Sequence, residues 1–338
     1  MIFILTTVTF WLSALLTLYF SRPETFLLVL DKPNARSLHT SPIPINGGIA
    51  ILIALTTTVF WLNWYYLPMQ KYLWIFGSGL LIAIVSFIDD CRHVNALYRL
   101  LVHFFAAYLL LWQTDLWLIQ LTLPGFTWVW ASWWQIGISG LFIVWMVNLY
   151  NFMDGMDGLA GGMAVFGFGT LAIFGWLAEQ QLFMVMNMMV ASAVGGFLIF
   201  NFPPARIFMG DVGSSSLGFL AATFGLWGSC ENIIPLWIVL LLFSPFIVDA
   251  TVTLLWRLLR GEKIWLAHKS HHYQRLVQIG WGHKRTVLWE YALMVMCSCS
   301  ALLAPLLPVY GQWSLIIGWN CIYIGLIYLV VRLDANRI

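Results

Sequence analysis

The sequence predicts an all-α protein that crosses a membrane many times. Apolar residues make up 61% of the 338 residues and charged residues only 9%, whereas about 25% of the residues in a soluble domain are charged. A soluble fold could not bury so much apolar surface and still cover its exterior with polar groups. The composition therefore excludes secreted, disordered and coiled-coil classes of protein.

Eleven apolar stretches divide the chain, and each approaches the ~20 residues that a membrane-spanning helix needs. The first has no positive flank or cleavage site of a signal peptide, so we expect a retained helix. We predict one membrane domain over residues 1–338, with an interfacial loop at 113–133 and no repeated halves. The predicted spans are 2–20, 47–66, 72–88, 97–112, 134–150, 159–178, 182–200, 213–229, 233–256, 287–307 and 312–331.

The basic residues predict the orientation of these spans. Of the 16 Lys and Arg residues, all except Lys71 lie in or beside alternate connections or in the C-terminal tail. Basic residues accumulate on the cytoplasmic side of a membrane, so we expect the N-terminus outside and the C-terminus in the cytoplasm. The cytoplasmic connections, which hold most of the polar residues, are then 21–46, 89–96, 151–158, 201–212 and 257–286.

Adjacent carboxylates end the third span. Asp89 and Asp90 follow an apolar run in SFIDDCRHVN. Two carboxylates beside hydrocarbon repel each other and are costly to remove from water. A cation or a metal-bound phosphate would relieve that cost, and a solvated helix end is the alternative.

A second polar motif follows the fifth span. NLYNFMDGMDGLAGG places Asn148, Asn151, Asp154 and Asp157 at intervals of three, and one straight helix cannot present all four to one point. We expect the helix to break at the glycines. Two Asp residues in such a turn suit Mg²⁺, which takes oxygen ligands and usually keeps water and substrate phosphate.

The connection after the seventh span contains FMGDVGSSSLG. Asp211 precedes an apolar helix, where it is either an ordinary helix cap or a metal ligand beside amides that attract an anion. Phe208 would stack on a base.

The last cytoplasmic connection is basic and holds four of the seven His residues. His268, His271 and Arg275 lie at spacings of three and four, which predicts one helix face and suits a diphosphate; a basic loop on anionic lipid is the alternative.

Asp249 lies inside the ninth span, where a carboxylate indicates function or a packing hydrogen bond to Thr251 or Thr253.

Together these segments resemble the polyprenyl-phosphate N-acetylhexosamine-1-phosphate transferases. The matching pieces are DD at 89–90, NLYNFMDGMDGLAGG, FMGDVGSSSLG and HKSHHYQRL, in the order of the family. AHKSHHYQRLVQIGWGHKRT is similar to the branch that uses UDP-activated 6-deoxy-N-acetylhexosamines for the O-antigen of lipopolysaccharide. The first connection, DKPNARSLHTSPIPINGG, is similar to the family pattern, but Ile45-Asn46 stand where a basic residue often precedes the glycines.

The resemblance implies transfer of a sugar 1-phosphate from a UDP-N-acetylhexosamine to undecaprenyl phosphate, with release of UMP, at the cytoplasmic face of the bacterial inner membrane. It implies Mg²⁺, with Mn²⁺ as a substitute. A UDP-GlcNAc-specific member is the alternative within the family, and an ion-coupled transporter is the alternative outside it. We expect membrane lipid around the chain and no nucleic-acid partner, and a homodimer is a further expectation.

The resemblance also implies a role for each candidate residue. The metal ligands are Asp211 and Asp157, and the lipid phosphate faces Asp89 and Asp90. The nucleotide binds Asn148, Asn151, Asn201 and Phe208, with Asp154 beside them. The phosphates of the sugar nucleotide bind His268, His271 and Arg275, and Asp249 is a weaker candidate for the site.

Overall fold

A computed structural model describes residues 2–25, 27–31, 42–65, 70–263 and 268–335. Over these residues the chain is a bundle of helices with two short antiparallel hairpins, which confirms the all-α prediction. The helices are α1 (Ile2–Phe20), α2 (Gly47–Tyr65), α3 (Gln70–Arg92), α4 (Ala96–Thr114), α5 (Ser132–Phe152), α6 (Leu159–Leu177), α7 (Gln181–Asn201), α8 (Gly210–Cys230), α9 (Leu236–Leu242), α10 (Ser244–Leu259), α11 (His272–Leu276), α12 (Gly282–Leu303) and α13 (Val309–Ala335). The strands are β1 (Leu30–Asp31), β2 (Ile43–Pro44), β3 (Gln120–Leu123) and β4 (Phe126–Val129).

Each of the eleven predicted stretches is mostly helical over its described residues. Among the described residues, nine helical segments are long and apolar enough to cross a membrane, and α9 with α10 makes a tenth if the two form one span. Helix α8 has 21 residues but carries Asp211 and three successive serines in its first turns, and it is not among those segments. The count of eleven spans and the orientation stay predictions.

Two elements differ from the sequence prediction. The stretch 233–256, expected as one span, is two helices that meet at 80°, with Pro245 in the first turn of α10, where proline costs no hydrogen bond. The expected loop 113–133 contains the β3–β4 hairpin, which pairs Leu123 with Phe126 across a two-residue turn. Gly125 supplies the positive φ of that turn.

Helix α8 lies at the centre of the bundle, and this position determines where the functional residues meet. Every residue from Val212 to Gly228 is buried, and α8 packs mainly against α5 and α3 and also against α2. Small residues permit these close approaches, because a Cβ on Gly218 would lie 2.4 Å from the Met146 carbonyl oxygen of α5. The first turn of α8 therefore opens into the middle of one end of the bundle.

The first connection packs against the start of α8. The amides of Gly47 and Gly48 donate to the carbonyls of Phe208 and Met209 at 3.0 and 2.8 Å. Asn46, which stands where the family often has a basic residue, is buried and accepts a hydrogen bond from the Val29 amide at 3.1 Å. Its side chain therefore ties the segment before β1 to the segment after β2. Residues 32–41, with the basic residues predicted there, lie outside the described part of the chain.

Candidate active site

Four carboxylates, Asp89, Asp90, Asp154 and Asp211, form an acidic cluster at the start of α8. Asp90 is at the end of α3, and its oxygens accept hydrogen bonds from the amides of Asp211 and Val212 at 3.2 and 3.5 Å. Asp90 thus caps α8 from a neighbouring helix, where a negative charge interacts favourably with the helix dipole. The alternative of a solvated helix end does not describe Asp90.

Arg99 is the one cation that forms an ion pair with this cluster among the described residues. One of its terminal nitrogens lies 3.1 Å from Asp211 Oδ2, and the same nitrogen contacts Asp89 Oδ2. Asp89 Oδ1 accepts a hydrogen bond from the Val94 amide at 2.6 Å. Arg99 faces the cluster because Asn95 caps α4 four residues earlier. One guanidinium cannot balance four carboxylates, so the cluster keeps a negative character.

Asp154 is a half-buried member of the acidic cluster and lies in the loop between α5 and α6. Burial raises its pKa well above the ordinary range of an aspartic acid, and the charges of Asp211, Asp90 and Asp157 raise the pKa further. An added cation would oppose both effects, because it stabilises the charged form. The geometry thus brings carboxylates from three separate connections within electrostatic reach of one another, as the sequence predicted.

The two asparagines that precede Asp154 differ in what they contact. Asn151 donates from Nδ2 to Ser214 Oγ of α8 at 3.1 Å, so it lies beside the acidic cluster. Asn148 donates to the Val144 carbonyl of its own helix at 2.7 Å. The helix geometry that separates positions three residues apart is the reason for this difference.

The chain breaks at the predicted glycines. Helix α5 ends at Phe152, and Gly158 adopts a positive φ of 74° where α6 begins. A Cβ on Gly155 would lie 2.3 Å from the Tyr273 hydroxyl, which accepts a hydrogen bond from the Gly155 amide at 3.1 Å and donates to the Phe152 carbonyl at 3.3 Å. The histidine-rich segment therefore packs directly on the loop that carries Asp154.

Asp157 and Asn201 make hydrogen bonds that join two connections. Asp157 accepts a hydrogen bond from the Ala205 amide at 3.0 Å and forms an ion pair with His283 at 3.1 Å. The Asn201 side chain accepts from the Gly158 amide and donates to the Ile207 carbonyl, both at 2.9 Å. Both polar ends of this buried amide are engaged by backbone, so Asn201 positions the two loops. Phe208 is half-buried next to them.

Asp249 organises the histidine-rich segment. Its oxygens lie 3.2 Å from His271 Nδ1 and 3.0 Å from His272 Nδ1, and they accept hydrogen bonds from the amides of His272 and Tyr273 at 3.0 and 3.2 Å. The Thr253 hydroxyl also donates to it at 3.1 Å. The predicted packing bond to Thr253 therefore exists, and the carboxylate in addition caps α11.

The prediction that His268, His271 and Arg275 share one helix face is wrong. Helix α11 covers only His272–Leu276, so His271 is its cap and His268 precedes it. Even so, the rings of His268 and His271 lie 4.8 Å apart. Arg275 donates to the Ser270 carbonyl at 3.1 Å and lies 3.7 Å from Asp334 of α13. The helix begins only at His272 because Asp249 accepts hydrogen bonds from its first amides and the Gln274 side chain accepts one from the His271 amide.

Burial, together with the charges of His271 and Arg257, lowers the pKa of His268 to about 4. The imidazole is therefore neutral at physiological pH. Its Nδ1 lies 2.7 Å from the Ser270 hydroxyl.

Sequence reasoning missed four residues with roles in this arrangement. Arg99 was counted only among the basic residues that predict the orientation of the spans. A basic residue one turn into a helix that follows an Asp pair is, however, a signal for an ion pair. His272 and His283 lie in the motif that was singled out, but nothing local distinguishes them from their neighbours. Tyr273 is an aromatic residue among polar ones, and its hydroxyl contacts a loop 118 positions away in the chain.

The donor set fits a hard cation with few protein ligands. No three of the described His, Cys, Asp and Glu side chains are placed to hold a metal ion by themselves. Mg²⁺ usually binds one or two carboxylates and takes its other ligands from water and substrate phosphate. Asp211, in an excess of negative charge, suits that role. Asp157 would have to exchange its contact with His283 for the metal.

Comparisons with known proteins agree with the motifs. A family model for glycosyl transferase family 4 matches residues 72–229. The chain is 30% identical to the decaprenyl-phosphate N-acetylglucosaminephosphotransferase of Mycobacterium leprae over 290 residues, which cover 77% of this chain and 72% of that protein. It is 29% identical to a probable undecaprenyl-phosphate N-acetylglucosaminyl 1-phosphate transferase of Bacillus subtilis over 276 residues, 81% of this chain and 76% of that protein.

A third relative is named for the transfer of a different group. The phospho-N-acetylmuramoyl-pentapeptide-transferase of Geobacillus thermodenitrificans is 28% identical over 278 residues, which cover 75% of this chain and 81% of that protein.

Proposed function

Because the chain belongs to glycosyl transferase family 4, we propose that it transfers an N-acetylhexosamine 1-phosphate from a UDP-sugar to undecaprenyl phosphate and releases UMP. The relatives are transferases of sugar phosphates to polyprenyl phosphates, so the reaction class follows from the family. The UDP donor, the metal and the identity of the sugar are our proposals.

One observation carries the proposal. The acidic cluster joins the ends of α3 and α5 to the start of α8, and Tyr273 ties the histidine-rich segment to the same loop. All of these groups lie at one end of the helix bundle. A nucleotide cannot enter lipid, and a lipid phosphate stays at the membrane surface, so a shared site must lie at such an end.

The acidic cluster supports a divalent cation. We propose that Asp211 holds Mg²⁺, or Mn²⁺ in its place, with Asp157 as the second ligand. When bound, the ion would offset the charge of the diphosphate and of the leaving group.

The remaining work belongs to residues that bind and orient. In the proposed reaction an oxygen of the lipid phosphate attacks the phosphorus attached to the sugar, and the bond from that phosphorus to the bridging oxygen breaks, which frees UMP. The lipid phosphate has a second pKa near 6, so at neutral pH it needs little help from a base. His268 and His271 would donate hydrogen bonds to the phosphates of the UDP-sugar. Asp89 would hold Arg99 in place, and Asp90 would hold the start of α8 in place, for the reaction with the lipid phosphate.

The identity of the transferred sugar is a separate part of the proposal. We propose a 6-deoxy-N-acetylhexosamine and a place in O-antigen synthesis, on the similarity of AHKSHHYQRLVQIGWGHKRT to that branch. The alternative is N-acetylglucosamine, which appears in the names of two of the relatives. A homodimer is part of the same proposal.

A panel of UDP-sugars tests both points. Purified protein in nanodiscs is supplied with undecaprenyl phosphate, Mg²⁺ and one UDP-sugar at a time, and UMP and lipid-linked product are measured. We expect UMP release that requires the lipid phosphate and is greatest with a 6-deoxy-N-acetylhexosamine. Greatest turnover with UDP-N-acetylglucosamine would support the alternative sugar, and the absence of any UMP would contradict the transfer reaction.

A transporter would work differently. It would carry out no UMP release without a gradient, and it would place acidic groups near the bilayer midplane in two repeated halves. The bend between α9 and α10 is the one break of this kind within the described residues, and the acidic cluster lies at an end of the bundle.

Cysteine labelling in intact cells tests the proposed cytoplasmic face. An impermeant reagent should label a cysteine at Thr122 and should not label one at Ser270.

A further inference from the structure

A cavity of about 760 Å³ lies beside the first three turns of α12, outside the acidic cluster. Its walls come from one short stretch of chain and are both aromatic and basic: Trp281, Gly282, His283, Lys284, Arg285, Leu288, Trp289 and Ala292. This volume falls within the range of small-molecule sites, about 300–1,000 Å³. No role proposed above is assigned to Lys284, Arg285 or Trp289, although the first two lie in the segment AHKSHHYQRLVQIGWGHKRT.

The charged part of the cavity suits an anion. Lys284 and Arg285 are exposed, and neither forms an ion pair with a carboxylate in the described part of the chain. The Arg285 guanidinium lies 4.1 Å from the centre of the Trp281 ring, a stacking contact that holds it in one orientation before any ligand binds. No acidic side chain lines the walls. Two cations, one of which is held against Trp281, with no acidic side chain in the walls favour a phosphate group.

The other part of the cavity suits hydrocarbon. Leu288 and Trp289 follow one turn later along α12 and remain 49% and 61% exposed, and Ala292 lies one turn further still. Helix α12 belongs to an apolar segment long enough to cross a membrane. A Trp beside Lys and Arg at the end of such a segment is typical of the interface between headgroups and acyl chains. The cavity therefore presents a cationic end to the membrane surface and an apolar end to the membrane interior.

A direct contact connects the cavity to the loop that carries Asp154. His283 lines the cavity, and its Nδ1 lies 3.1 Å from Asp157 Oδ1. The Tyr291 hydroxyl, on the same helix, donates to the Gly158 carbonyl at 2.7 Å. A ligand that occupied the cavity would thus lie next to residues that position the 151–158 loop.

We propose that this cavity binds the phosphate monoester of the polyprenyl acceptor, with Lys284 and Arg285 on the phosphate and the first isoprene units along Leu288, Trp289 and Ala292. The inference rests on the proposed function, since it takes the acceptor to be a lipid phosphate. A monoester carries about two charges at neutral pH, whereas an ordinary phospholipid diester carries one. The carboxylates of Asp89 and Asp90, by contrast, are engaged by Arg99 and by backbone amides.

Photocrosslinking tests the binding site without turnover. Full-length protein in phosphatidylcholine nanodiscs is irradiated with a diazirine-bearing polyprenyl phosphate in the absence of UDP-sugar, and the modified residues are mapped by mass spectrometry. We expect labels within residues 281–292 that excess polyprenyl phosphate removes. Excess phosphatidylglycerol, a diester, and polyprenol, which lacks phosphate, should compete poorly. Labels elsewhere, or equal competition by phosphatidylglycerol, would overturn the proposal.

Kinetics supply the second test. Lys284→Gln with Arg285→Gln should raise the KM for the acceptor by roughly tenfold, with the KM for the UDP-sugar and kcat at saturating acceptor unchanged. Arg260→Gln is the matched control, because Arg260 is an exposed cation of the same connection that does not line the cavity; its KM values should stay at the parent level. An unchanged acceptor KM in the double variant would overturn the proposal. Specific crosslinking in a protein without transferase activity would instead contradict the proposed function alone.

Discussion

Carboxylates that are buried or half-buried serve two different purposes in this chain, and Asp249 and the acidic cluster represent them. Asp249 interacts with two imidazoles, two backbone amides and a threonine hydroxyl. The four carboxylates of the acidic cluster share one guanidinium, from Arg99, and a few amides. Asp249 is thus satisfied by the protein itself, whereas the cluster has more negative charge than its surroundings neutralise.

This difference separates a residue that maintains structure from residues that await a ligand. A buried charge with a full set of partners contributes little net stability but is costly to unpair. A group of like charges with few partners destabilises the empty fold, and proteins retain such strain where a bound ion or substrate relieves it. Substitutions that remove one charge at a time should therefore have opposite effects on stability in the two regions.

The largest effect is expected for Asp211→Asn. The substitution removes a charge from the proposed metal site while it keeps the shape of the side chain, so turnover should fall by about three orders of magnitude or more. A transfer assay over a range of Mg²⁺ concentrations measures this loss, and thermal unfolding confirms that the protein is folded. Near-normal turnover at low Mg²⁺ would contradict the metal assignment.

A smaller loss of activity, with a loss of stability, is expected for Asp249→Asn. The amide cannot satisfy two imidazoles and two backbone amides at once, so the free energy of unfolding should decrease by about 3 kcal/mol and turnover should decrease by about a hundredfold through misplaced histidines. Thermal unfolding in nanodiscs and steady-state kinetics measure both quantities.

Asp154→Asn is the matched comparison for Asp249→Asn. It replaces a carboxyl group whose pKa is raised by burial and by the neighbouring charges. Such a group destabilises the fold above the pKa that it has in the unfolded chain, so at neutral pH without Mg²⁺ the midpoint of unfolding should rise although activity falls. If both variants lost stability equally, the distinction between the two regions would be wrong.

The same two regions show how far a sequence can predict a site. The carboxylates of the acidic cluster were found because each ends or begins an apolar span, and span ends on one side of a membrane must lie near one another. The hydrogen-bond partners of Asp249 in the histidine-rich segment were not predicted from the sequence. Its partners His271 and His272 lie 22 and 23 positions away, and the 80° bend that presents them depends on tertiary packing. Local spacing predicted a helix face there, but α11 begins only at His272, where Asp249 of α10 accepts hydrogen bonds from the first amides.

An intermediate loss of turnover is expected when Asp89 or Asp90, the adjacent pair at the end of α3, is replaced. Asp89→Asn would free Arg99 to neutralise Asp211, so turnover should fall by about a hundredfold, whereas Asp90→Asn keeps an oxygen for the amides that begin α8 and should cost about tenfold. Both defects should be nearly independent of pH between about 6.5 and 9, because positioning rather than proton removal is lost. Pre-steady-state rates across this range measure them. A clear recovery of Asp89→Asn at alkaline pH would identify Asp89 as a base.

The smallest effect concerns the protonation state of His268. Burial lowers the pKa of this imidazole to about 4, so at pH 6.5 and at pH 8.5 it is the neutral form that donates to the donor phosphates. Replacement by Gln removes one hydrogen bond of about 1 kcal/mol, and the KM for the UDP-sugar should rise by about fivefold at both pH values. A histidine that bound as imidazolium would behave differently, because its charge would be lost as pH rises, and the ratio of variant to parent KM would shrink toward one. Donor KM values for the parent and His268→Gln at the two pH values distinguish these outcomes, and a ratio that decreases with pH would show that phosphate binding draws a proton onto the ring.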